Sequence, residues 1–411
     1  MEYKIFGCKV NKFYLSRWLN YFNNYKYNLE NKVIIATCVV TDRAKSKWVK
    51  EAKKILSEKK EIFITWCSVF DNWWMMDYNK FYEIYYDLKQ YKNRITLLPE
   101  DPSKANEIIW IGEYDLNNDI TEDINLYTKK FVVIQNWCDT HCTFCLTIAK
   151  RWPNRSRSEQ EIIDEIKKFE NIWWKEIVIT GINLAAWWCS HTRTFSETKF
   201  PALLESIIKN TSIPRIRISS LGPEFLDDRF FEIVTNPRFL PHFHISIQSF
   251  SDNILKLMNR NYDSKQIDYV LNKLKNLNRI DKDLVSIWAD IIVWFPWETD
   301  EDFMMTYNWI MNYNINKLHT FPFSAHRKWE SIPAAKFPWS ITKEIKTQRE
   351  SKILELWESI RGEFINKNKW KTWKILLEEQ KDWVWSWWTP NYIQVNLKWN
   401  YNRWDVVEYK Y

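Results

Sequence analysis

The sequence predicts an α/β protein with three parts: an N-terminal doubly wound parallel sheet, a central partial barrel of six βα units, and a small C-terminal β-barrel-like module. Three observations predict this fold. Short β-like runs alternate with amphipathic helices at the start of the chain, the alternation resumes after a polar linker at 101–130, and the last stretch holds short strands without helices. A chain of 411 residues is also too long for one compact core.

The N-terminal part, residues 1–100, places cysteines at the ends of three predicted strands. EYKIFGC, KVIIATC and EIFITWC read as strands, with helices near 11–25, 42–58 and 78–90, and RITLL closes the segment. Cys8, Cys38 and Cys67 therefore share one topological position. Ligands bind beyond the carboxyl ends of strands in open parallel sheets, so we expect the three thiols to converge on one site. Three separately buried cysteines acting as small hydrophobes are the alternative.

The central part, residues 131–340, contains the six βα units. The strands are FVVIQ, EIVIT, RIRIS, FHISIQ, SIWADIIV and KLHTFPF, and helices are predicted near 158–170, 200–209, between 251 and 277, and near 299–312. A full barrel has eight such units in about 250 residues, so a partial, open barrel is expected, with its catalytic groups at the carboxyl ends of the strands.

The C-terminal part begins with a long polar helix near 341–367, which connects to a β-module at 370–411. The sequences KTWKILLEE, NYIQVNL and DVVEYK predict three short strands there. Basic residues interleave with aromatic ones in the module, a composition typical of single-stranded RNA surfaces. A solvated sheet edge guarded by lysines explains the composition equally well.

Composition narrows the class of protein. The net charge of +7 permits a nucleic-acid partner without requiring one. No stretch approaches the roughly 18 apolar residues of a membrane span, and the N-terminus lacks an apolar signal segment. We therefore expect a cytoplasmic protein with reduced thiols and no membrane association, in which seven cysteines serve as metal ligands or catalysts.

Glycine is scarce and tryptophan abundant. The chain has 5 Gly and 27 Trp, whereas average usage would give about 29 Gly. Trp also stands where turns favour glycine, and glycine tolerates positive φ far better than tryptophan. The positions concerned are Trp294, Trp297 and the pairs Trp187–Trp188 and Trp387–Trp388. We interpret the sequence as an altered or designed one.

Three more cysteines, Cys138, Cys142 and Cys145, follow the first strand of the central part in the stretch NWCDTHCTFC. A structural zinc site takes four ligands, and iron–sulfur clusters usually take four thiolates. Three thiolates leave one metal position open, as catalytic sites do. A zinc knuckle or a fortuitous group of cysteines is the alternative.

The C-x3-C-x2-C spacing, with Phe144 before the last cysteine, is the signature of radical S-adenosylmethionine enzymes. Together with Cys8, Cys38 and Cys67 and the C-terminal module, it makes the whole chain resemble the methylthiotransferases. Matching stretches include FGCKVNKF, ATCVVTDRA, VVIQNWCDTHCTFC, PNRSRS, EIVITGIN, ISIQSFSDNILKLMNRNY and ADIIVWFPWETDEDF. GCKVN at Gly7–Asn11 and TCVVT at Thr37–Thr41 resemble the branch that acts on N6-threonylcarbamoyladenosine in tRNA.

This resemblance implies two [4Fe–4S] clusters and S-adenosyl-L-methionine as cofactors. Cys138, Cys142 and Cys145 would hold the radical-generating cluster, and Cys8, Cys38 and Cys67 an auxiliary cluster that carries the sulfur to be donated. Residues expected to contact S-adenosylmethionine are Phe144, Thr180, Gly181, Asn183, Gln248, Ser249 and Arg260, although ordinary turn and capping roles explain several of them as well. Arg155 and Arg157 are candidate phosphate contacts or a solvated basic turn, and Cys189 matches no ligand position.

The resemblance further implies methylthiolation at C2 of adenosine 37, beside the anticodon. The tRNA anticodon loop and an electron donor such as a flavodoxin or ferredoxin would be partners, and the C-terminal module would be a TRAM domain. Other possible substrates are isopentenyladenosine in tRNA and a ribosomal-protein aspartate. The family resembled usually has glycine where this chain has Trp66, Trp137, Trp294 and Trp297. A catalytically inert variant of the fold is therefore a further alternative, since Trp beside a cluster ligand demands a large cavity.

Overall fold

The computed structural model describes residues 2–72, 74–107, 128–150, 154–172, 174–189, 198–326, 332–337, 342–377, 379–381, 384–397 and 405–410. The chain divides into two compact units. The first unit comprises Met1–Leu126, Asn136–Arg155 and Ser324–Lys336. The second comprises Tyr127–Gln135, Ser156–Phe323 and Phe337–Tyr411. Most of the linker predicted at 101–130 lies outside the described residues.

The first unit is built on a parallel sheet. Its N-terminal elements are β1 (Glu2–Ile5), α1 (Lys9–Asn24), β2 (Lys32–Thr37), α2 (Asp42–Ser57), β3 (Glu61–Trp66), β4 (Phe70–Asp71), β5 (Trp74–Met75), α3 (Tyr78–Ile84) and β6 (Ile95–Leu97). The strand order is β1-β2-β3-β6, and all three pairings are parallel. β4 and β5 form a separate antiparallel ladder.

Both faces of this sheet are covered, as the sequence predicts. Alternate side chains of each strand point to opposite faces. On β2, Ile34 packs in one core with Trp18 of α1, whereas Ile35 packs in the other core with Trp48 of α2. The near-continuous apolar runs of the strands follow from this two-sided burial.

The third predicted helix, 78–90, is not one helix. α3 ends at Ile84, and a 3₁₀ segment follows at Tyr86–Arg94. The break is at Tyr85, whose φ and ψ of −112° and 54° are not helical. Its ring is buried and packs edge-on against Trp48 at 4.8 Å. Core packing of this side chain therefore accompanies the break in an otherwise helical pattern.

The second unit contains the six predicted barrel strands. Including the segment that belongs to the first unit, the elements in chain order are β7 (Lys130–Asn136), α4 (Thr147–Lys150), β8 (Arg155–Ser156), α5 (Glu159–Asn171), β9 (Glu176–Gly181), α6 (Phe200–Asn210), β10 (Arg215–Ile218), α7 (Asp228–Ile233), β11 (His242–Gln248), α8 (Asp252–Leu257), α9 (Ser264–Lys275), β12 (Ser286–Val293), α10 (Asp300–Asn312), β13 (Lys317–Pro322) and α11 (Lys343–Lys367).

The barrel is open. β7, β9 and β10 form one parallel group and β11, β12 and β13 another. Two isolated parallel bridges, Ile216 with Phe239 and Leu221 with Ile245, join the β10 side of the first group to the β11 side of the second. The predicted partial barrel of six units is thus confirmed, and the long helix predicted near 341–367 is α11.

The C-terminal module has more strands than predicted. They are β14 (Thr372–Leu376), β15 (Glu379–Lys381), β16 (Val384–Trp388), β17 (Gln394–Leu397) and β18 (Val406–Lys410). The sequence analysis predicted three strands and missed β15 and β16. It interpreted Trp387 and Trp388 as turn residues, but both lie in β16, where aromatic residues are favoured.

Within the part of the chain that the structure describes, no helix is both long enough and apolar enough to cross a bilayer.

Candidate functional site

The sheet of the first unit gathers three cysteines at one edge. Cys8, Cys38 and Cys67 follow β1, β2 and β3, which are neighbouring parallel strands. Thr37, the residue before Cys38, is the register partner of Trp66, the residue before Cys67. Parallel strands end at a common edge, so the structure places these three cysteines at neighbouring strand ends, as the sequence predicts for the strands.

Asn11 ties the first two of these strand ends together. Its side chain is buried, and its amide nitrogen donates hydrogen bonds to the carbonyl oxygens of Phe6 at 2.5 Å and Thr37 at 2.7 Å. These carbonyls lie two residues before Cys8 and directly before Cys38. A residue on the first turn of α1 thereby fixes the spacing between two candidate ligands.

Gly7 is required by the same geometry. Its φ is +115°, a region that side chains rarely adopt. A Cβ atom there would lie 2.9 Å from the Cβ of Cys38 and 2.9 Å from Nδ2 of Asn11. The G-C-K-V-N stretch thus has a physical explanation. Glycine allows the backbone before Cys8 to approach Cys38, and the hydrogen bonds of Asn11 stabilise that arrangement.

The third strand end is tied by Thr37. Its hydroxyl donates to the carbonyl oxygen of Thr65 at 2.8 Å and accepts from the backbone amide of Ser68 at 3.1 Å. Ser68 follows Cys67, and the side chains of Thr37, Thr65 and Ser68 are all fully buried. Asn11, Thr37 and Ser68 were not identified as site residues from the sequence.

The cysteine loop after β7 belongs to the first unit. The amide of Cys145 donates to the carbonyl of Cys142 at 3.1 Å, and Sγ of Cys138 lies 3.2 Å from Oγ1 of Thr140. Burial, together with the neighbouring thiols of Cys142 and Cys145, raises the pKa of Cys138 to about 12. Such a thiol ionises at neutral pH only when a bound cation stabilises the thiolate, which fits a metal-ligating role.

This loop contacts the N-terminal part of its own unit. Nδ2 of Asn136 donates to the hydroxyl of Tyr14 at 3.2 Å and lies 3.4 Å from a carboxylate oxygen of Glu100. Nζ of Lys150, a buried residue of α4, lies 3.4 Å from a carboxylate oxygen of Asp71. Tyr14 is on the helix that begins after Cys8, so one side chain links the two cysteine-bearing segments.

Tryptophan occupies left-handed backbone positions in both units. Trp66 and Trp137 have φ of 78° and 69°, and each directly precedes a candidate ligand. In the second unit, Trp294 and Trp297 have φ of 66° and 69°. Trp188 also has positive φ, whereas Trp187 does not. The prediction that Trp stands at glycine-like turns is confirmed for Trp66, Trp137, Trp188, Trp294 and Trp297. It is wrong for Trp187, whose φ is −60°, and for Trp387 and Trp388, which lie in a strand.

The end of β9 carries three predicted cofactor contacts. Oε1 of Gln135 accepts from the amides of Ile182 at 3.0 Å and Asn183 at 2.8 Å. A Cβ on Gly181 would lie 2.8 Å from the carbonyl oxygen of Gln135, so glycine permits this close approach. Thr180 is buried. These residues form a polar backbone turn at the carboxyl end of the strand, where the fold expects ligand contacts.

The predicted contacts after β11 are also at a strand end. Gln248 has φ of 70°, and the buried hydroxyl of Ser249 accepts from the amide of Ser251 at 3.2 Å, which is a turn role. Nε of Arg260 donates to the hydroxyl of Tyr262 at 2.8 Å. Burial raises the pKa of Glu224, and the charge of Arg260 opposes that rise. The sequence analysis did not identify Glu224 as a neighbour of the candidate residue Arg260.

The remaining candidate residues from the sequence analysis are divided between the two units. The guanidinium of Arg155 lies 4.0 Å from the ring centre of Trp137 in the first unit. Arg157, in the second unit, donates to the carboxylate of Glu165 at 2.5 Å and to the carbonyl of Val133 at 2.9 Å, so it anchors α5 to β7. Phe144 is half-buried in the cysteine loop. Cys189 follows a short 3₁₀ turn of the second unit.

Comparison with known proteins gives consistent matches. The family model described as the radical SAM superfamily matches residues 132–310. The chain is 28% identical to the threonylcarbamoyladenosine tRNA methylthiotransferase of Aquifex aeolicus over 96% of each chain. It is 30% identical to the enzyme of the same name from Rickettsia prowazekii, over 86% of this chain and 81% of the relative.

A third relative has a different substrate in its name. The chain is 30% identical to the tRNA-2-methylthio-N(6)-dimethylallyladenosine synthase of Hydrogenobaculum sp., over 85% of this chain and 80% of the relative. These relatives share the methylthio chemistry and differ in the modified adenosine. On this evidence the chain belongs to the radical S-adenosylmethionine methylthiotransferase family.

Proposed function

We propose that this protein adds a methylthio group to C2 of N6-threonylcarbamoyladenosine at position 37 of tRNA. The observation that carries the proposal is the arrangement of the first unit, where two sets of three cysteines occupy one compact body and Tyr14 links their segments. An unactivated aromatic C–H offers no acidic proton, so radical chemistry is needed to replace it with sulfur. The substrate is supported by the names of two relatives and by the GCKVN and TCVVT stretches.

Enzymes of this family use S-adenosylmethionine and [4Fe–4S] clusters. We assign Cys138, Cys142 and Cys145 to one cluster and Cys8, Cys38 and Cys67 to a second. When bound, these groups supply a 5′-deoxyadenosyl radical and the sulfur to be transferred. Each set would provide three thiolates, one fewer than the four ligands that iron–sulfur clusters usually take, because neither sequence motif has a fourth cysteine.

The protein's own contribution is to position these groups and to exclude water. Asn11 and Thr37 hold the ends of β1, β2 and β3 in register, which fixes the distances among the second set of thiols. The hydrogen bond between Asn136 and Tyr14 holds the first set's loop against the same unit. These polar contacts would set where the two cysteine segments hold their clusters.

Candidate contacts to S-adenosylmethionine remain Phe144, Thr180, Gly181, Asn183, Gln248, Ser249 and Arg260. Those in the second unit lie at the carboxyl ends of barrel strands or just after them. Arg260 carries a positive charge suited to a carboxylate, and the backbone turn at Gly181–Asn183 suits the polar end of an amino acid.

The C-terminal module, residues 370–411, is proposed to bind RNA as a TRAM-like domain. Strand β14 alternates exposed and buried residues, with Lys374 on the exposed face and Trp373 and Ile375 in the core. An exposed basic face is what an RNA backbone requires. An electron donor such as a flavodoxin or ferredoxin would complete the reaction in the cytoplasm.

Nucleoside analysis tests the substrate. The chain would be expressed in a bacterial strain that lacks both tRNA methylthiotransferases, and its tRNA would be digested and examined by mass spectrometry. We expect 2-methylthio-N6-threonylcarbamoyladenosine, and we expect it to disappear in the Cys142→Ala variant. Methylthiolated isopentenyladenosine in the digested tRNA would identify a different adenosine as the substrate. A methylthiolated aspartate, found by mass spectrometry of the ribosomal proteins from the same strain, would identify a protein substrate. No methylthio product together with no 5′-deoxyadenosine from the reconstituted protein would show an inert variant.

A further inference from the structure

Three side chains of the second unit lie close together on neighbouring strands, and none of them belongs to a cysteine motif of the sequence. His244 is on β11, Asp290 on β12 and His319 on β13. Asp290 and His319 are register partners, and His244 pairs with Trp288, two residues before Asp290. Paired residues of parallel strands, and residues two apart on one strand, share a face. The three side chains therefore project from the same face of the sheet.

The distances among their polar atoms are those of ligands around one ion. Nε2 of His244 lies 2.8 Å from Oδ1 of Asp290, and Nδ1 of His319 lies 3.4 Å from the same oxygen. One ligand atom from each residue falls within 4.8 Å of the other two. Nitrogen and oxygen ligands at about 2.0–2.2 Å from a metal, at tetrahedral or octahedral angles, lie about 3.0–3.4 Å from one another.

The surroundings match a ligand set as well. The hydroxyl of Ser246, on the same face of β11, donates to the second carboxylate oxygen of Asp290 at 3.3 Å. Metal-ligating carboxylates are usually oriented by such outer hydrogen bonds. The imidazole of His319 is one-third exposed, whereas Asp290 and His244 are nearly buried, so the group is accessible from one side.

We propose that His244, Asp290 and His319 bind a divalent transition-metal ion. Two imidazoles and one carboxylate are the ligands of open catalytic zinc sites and of non-haem iron sites, which retain free coordination positions. Its ligand atoms are nitrogen and oxygen, whereas the cysteine motifs offer sulfur. It adds a nitrogen- and oxygen-ligated cation to the barrel of the second unit.

The test is titration of the cluster-loaded protein with Co²⁺ under anaerobic conditions. We expect one saturable Co²⁺ per chain, with visible ligand-field absorption, no thiolate charge-transfer band, and competition by Zn²⁺. The variants H244Q, D290N and H319Q should each weaken binding by about 100-fold or more, and S246A by about 10-fold. H242Q is the matched control, since His242 lies on the same face two residues earlier, and it should bind Co²⁺ as the parent does.

Circular dichroism and cluster absorbance establish that each variant is folded. Equal Co²⁺ affinity in the parent and in the three ligand variants would overturn the proposal, as would the absence of any Co²⁺ binding by the cluster-loaded parent. Either result would leave the trio as a hydrogen-bonded pair of imidazoles around one carboxylate.

A second inference comes from backbone conformation alone. Six tryptophans have φ between 51° and 78°: Trp66, Trp137, Trp188, Trp294, Trp297 and Trp370. A bulky residue in this region is a strained outlier, whereas glycine adopts it freely. Trp370 is 79% exposed and Trp188 51% exposed, so burial does not compensate at those two positions. We infer that the six are glycine positions of this fold, and that the host inserts glycine there through a codon whose meaning differs between genetic codes.

Two measurements test this inference. Peptide mass spectrometry of the protein from its own host should find glycine at the six positions, and tryptophan at all of them would overturn the decoding part. In the tryptophan-containing chain, Trp370→Gly should raise the unfolding midpoint, because it removes a left-handed tryptophan that packs little surface. Trp74→Gly is the control: Trp74 is 69% exposed but lies in a strand without positive φ. Equal effects of the two changes would overturn the conformational part.

Discussion

Two turns of the first unit place a residue with positive φ directly before a cysteine, and this residue is glycine in one turn and tryptophan in the other. Gly7 lies between β1 and Cys8, and Trp66 is the last residue of β3, directly before Cys67. Both have positive φ, +115° and +78°. At Gly7 the space beside the backbone is filled by Cys38 and Asn11. At Trp66 a fully buried indole stacks on Tyr14, with ring centres 4.4 Å apart.

The difference shows which constraint dominates at each turn. No side chain fits at Gly7, because a Cβ atom would already overlap two neighbours. At Trp66 the strained backbone is compatible with a large side chain because burial of the indole offsets a conformational cost of about 1–2 kcal/mol. The two turns share a positive φ, which favours glycine at both, and they differ in whether the space beside the backbone admits a side chain.

The change with the largest expected effect is Gly7→Ala. The added Cβ meets Cys38 and Asn11 at 2.9 Å in a left-handed backbone, so we expect a loss of about 2–3 kcal/mol of stability and of much of the second cluster. Gly362→Ala is the control, because no atom lies within 4 Å of a Cβ at Gly362 in α11. That change should stabilise the chain by about 0.5–1 kcal/mol. Denaturant unfolding and iron content measure both; similar behaviour of the two variants would refute the steric account.

Asn11→Ala should have the next largest effect. It leaves the buried carbonyls of Phe6 and Thr37 without their donor, at a cost of about 1–3 kcal/mol. Iron bound by Cys8, Cys38 and Cys67 should fall, while 5′-deoxyadenosine formation persists. The control Asn23→Ala alters an exposed position of the same helix and should leave both readouts unchanged. Full iron content in Asn11→Ala would show that the ends of β1 and β2 keep their positions without the hydrogen bonds of Asn11.

Tyr14→Phe should have the smallest effect. It keeps the ring against Trp66 but removes the hydroxyl that accepts from Asn136, so the loss of stability should be about 0.5–1.5 kcal/mol. The expected signature is retained iron and retained cleavage of S-adenosylmethionine with slower methylthio transfer, as single-turnover kinetics would record. Unchanged transfer would mean that this hydrogen bond does not position the loop.

Much of this site follows from sequence because strand periodicity is local. The apolar runs before Cys8, Cys38 and Cys67 indicate strands, and parallel topology then brings their ends together. The role of Asn11 does not follow, because its two acceptors belong to different strand ends and only the folded sheet brings them within reach. His244, Asp290 and His319 escape sequence analysis for the same reason, since each stands alone on its own strand.

Two local patterns were misread where side-chain packing competes with backbone preference. The helix at 78–90 breaks because Tyr85 enters the core. The Trp387–Trp388 pair forms part of a strand because the indole of Trp387 is buried in the core of the C-terminal module. Aromatic side chains bury enough surface to override local turn signals.

The central claim is that the first unit carries two separate cluster sites. Iron and sulfide analysis of the Cys8→Ala/Cys38→Ala/Cys67→Ala variant, next to the parent, tests it most directly. With four irons per cluster, we predict about eight irons in the reconstituted parent and about four in the variant, which should still form 5′-deoxyadenosine. Equal iron in the two proteins, or a variant with about four irons that no longer cleaves S-adenosylmethionine, would contradict the claim.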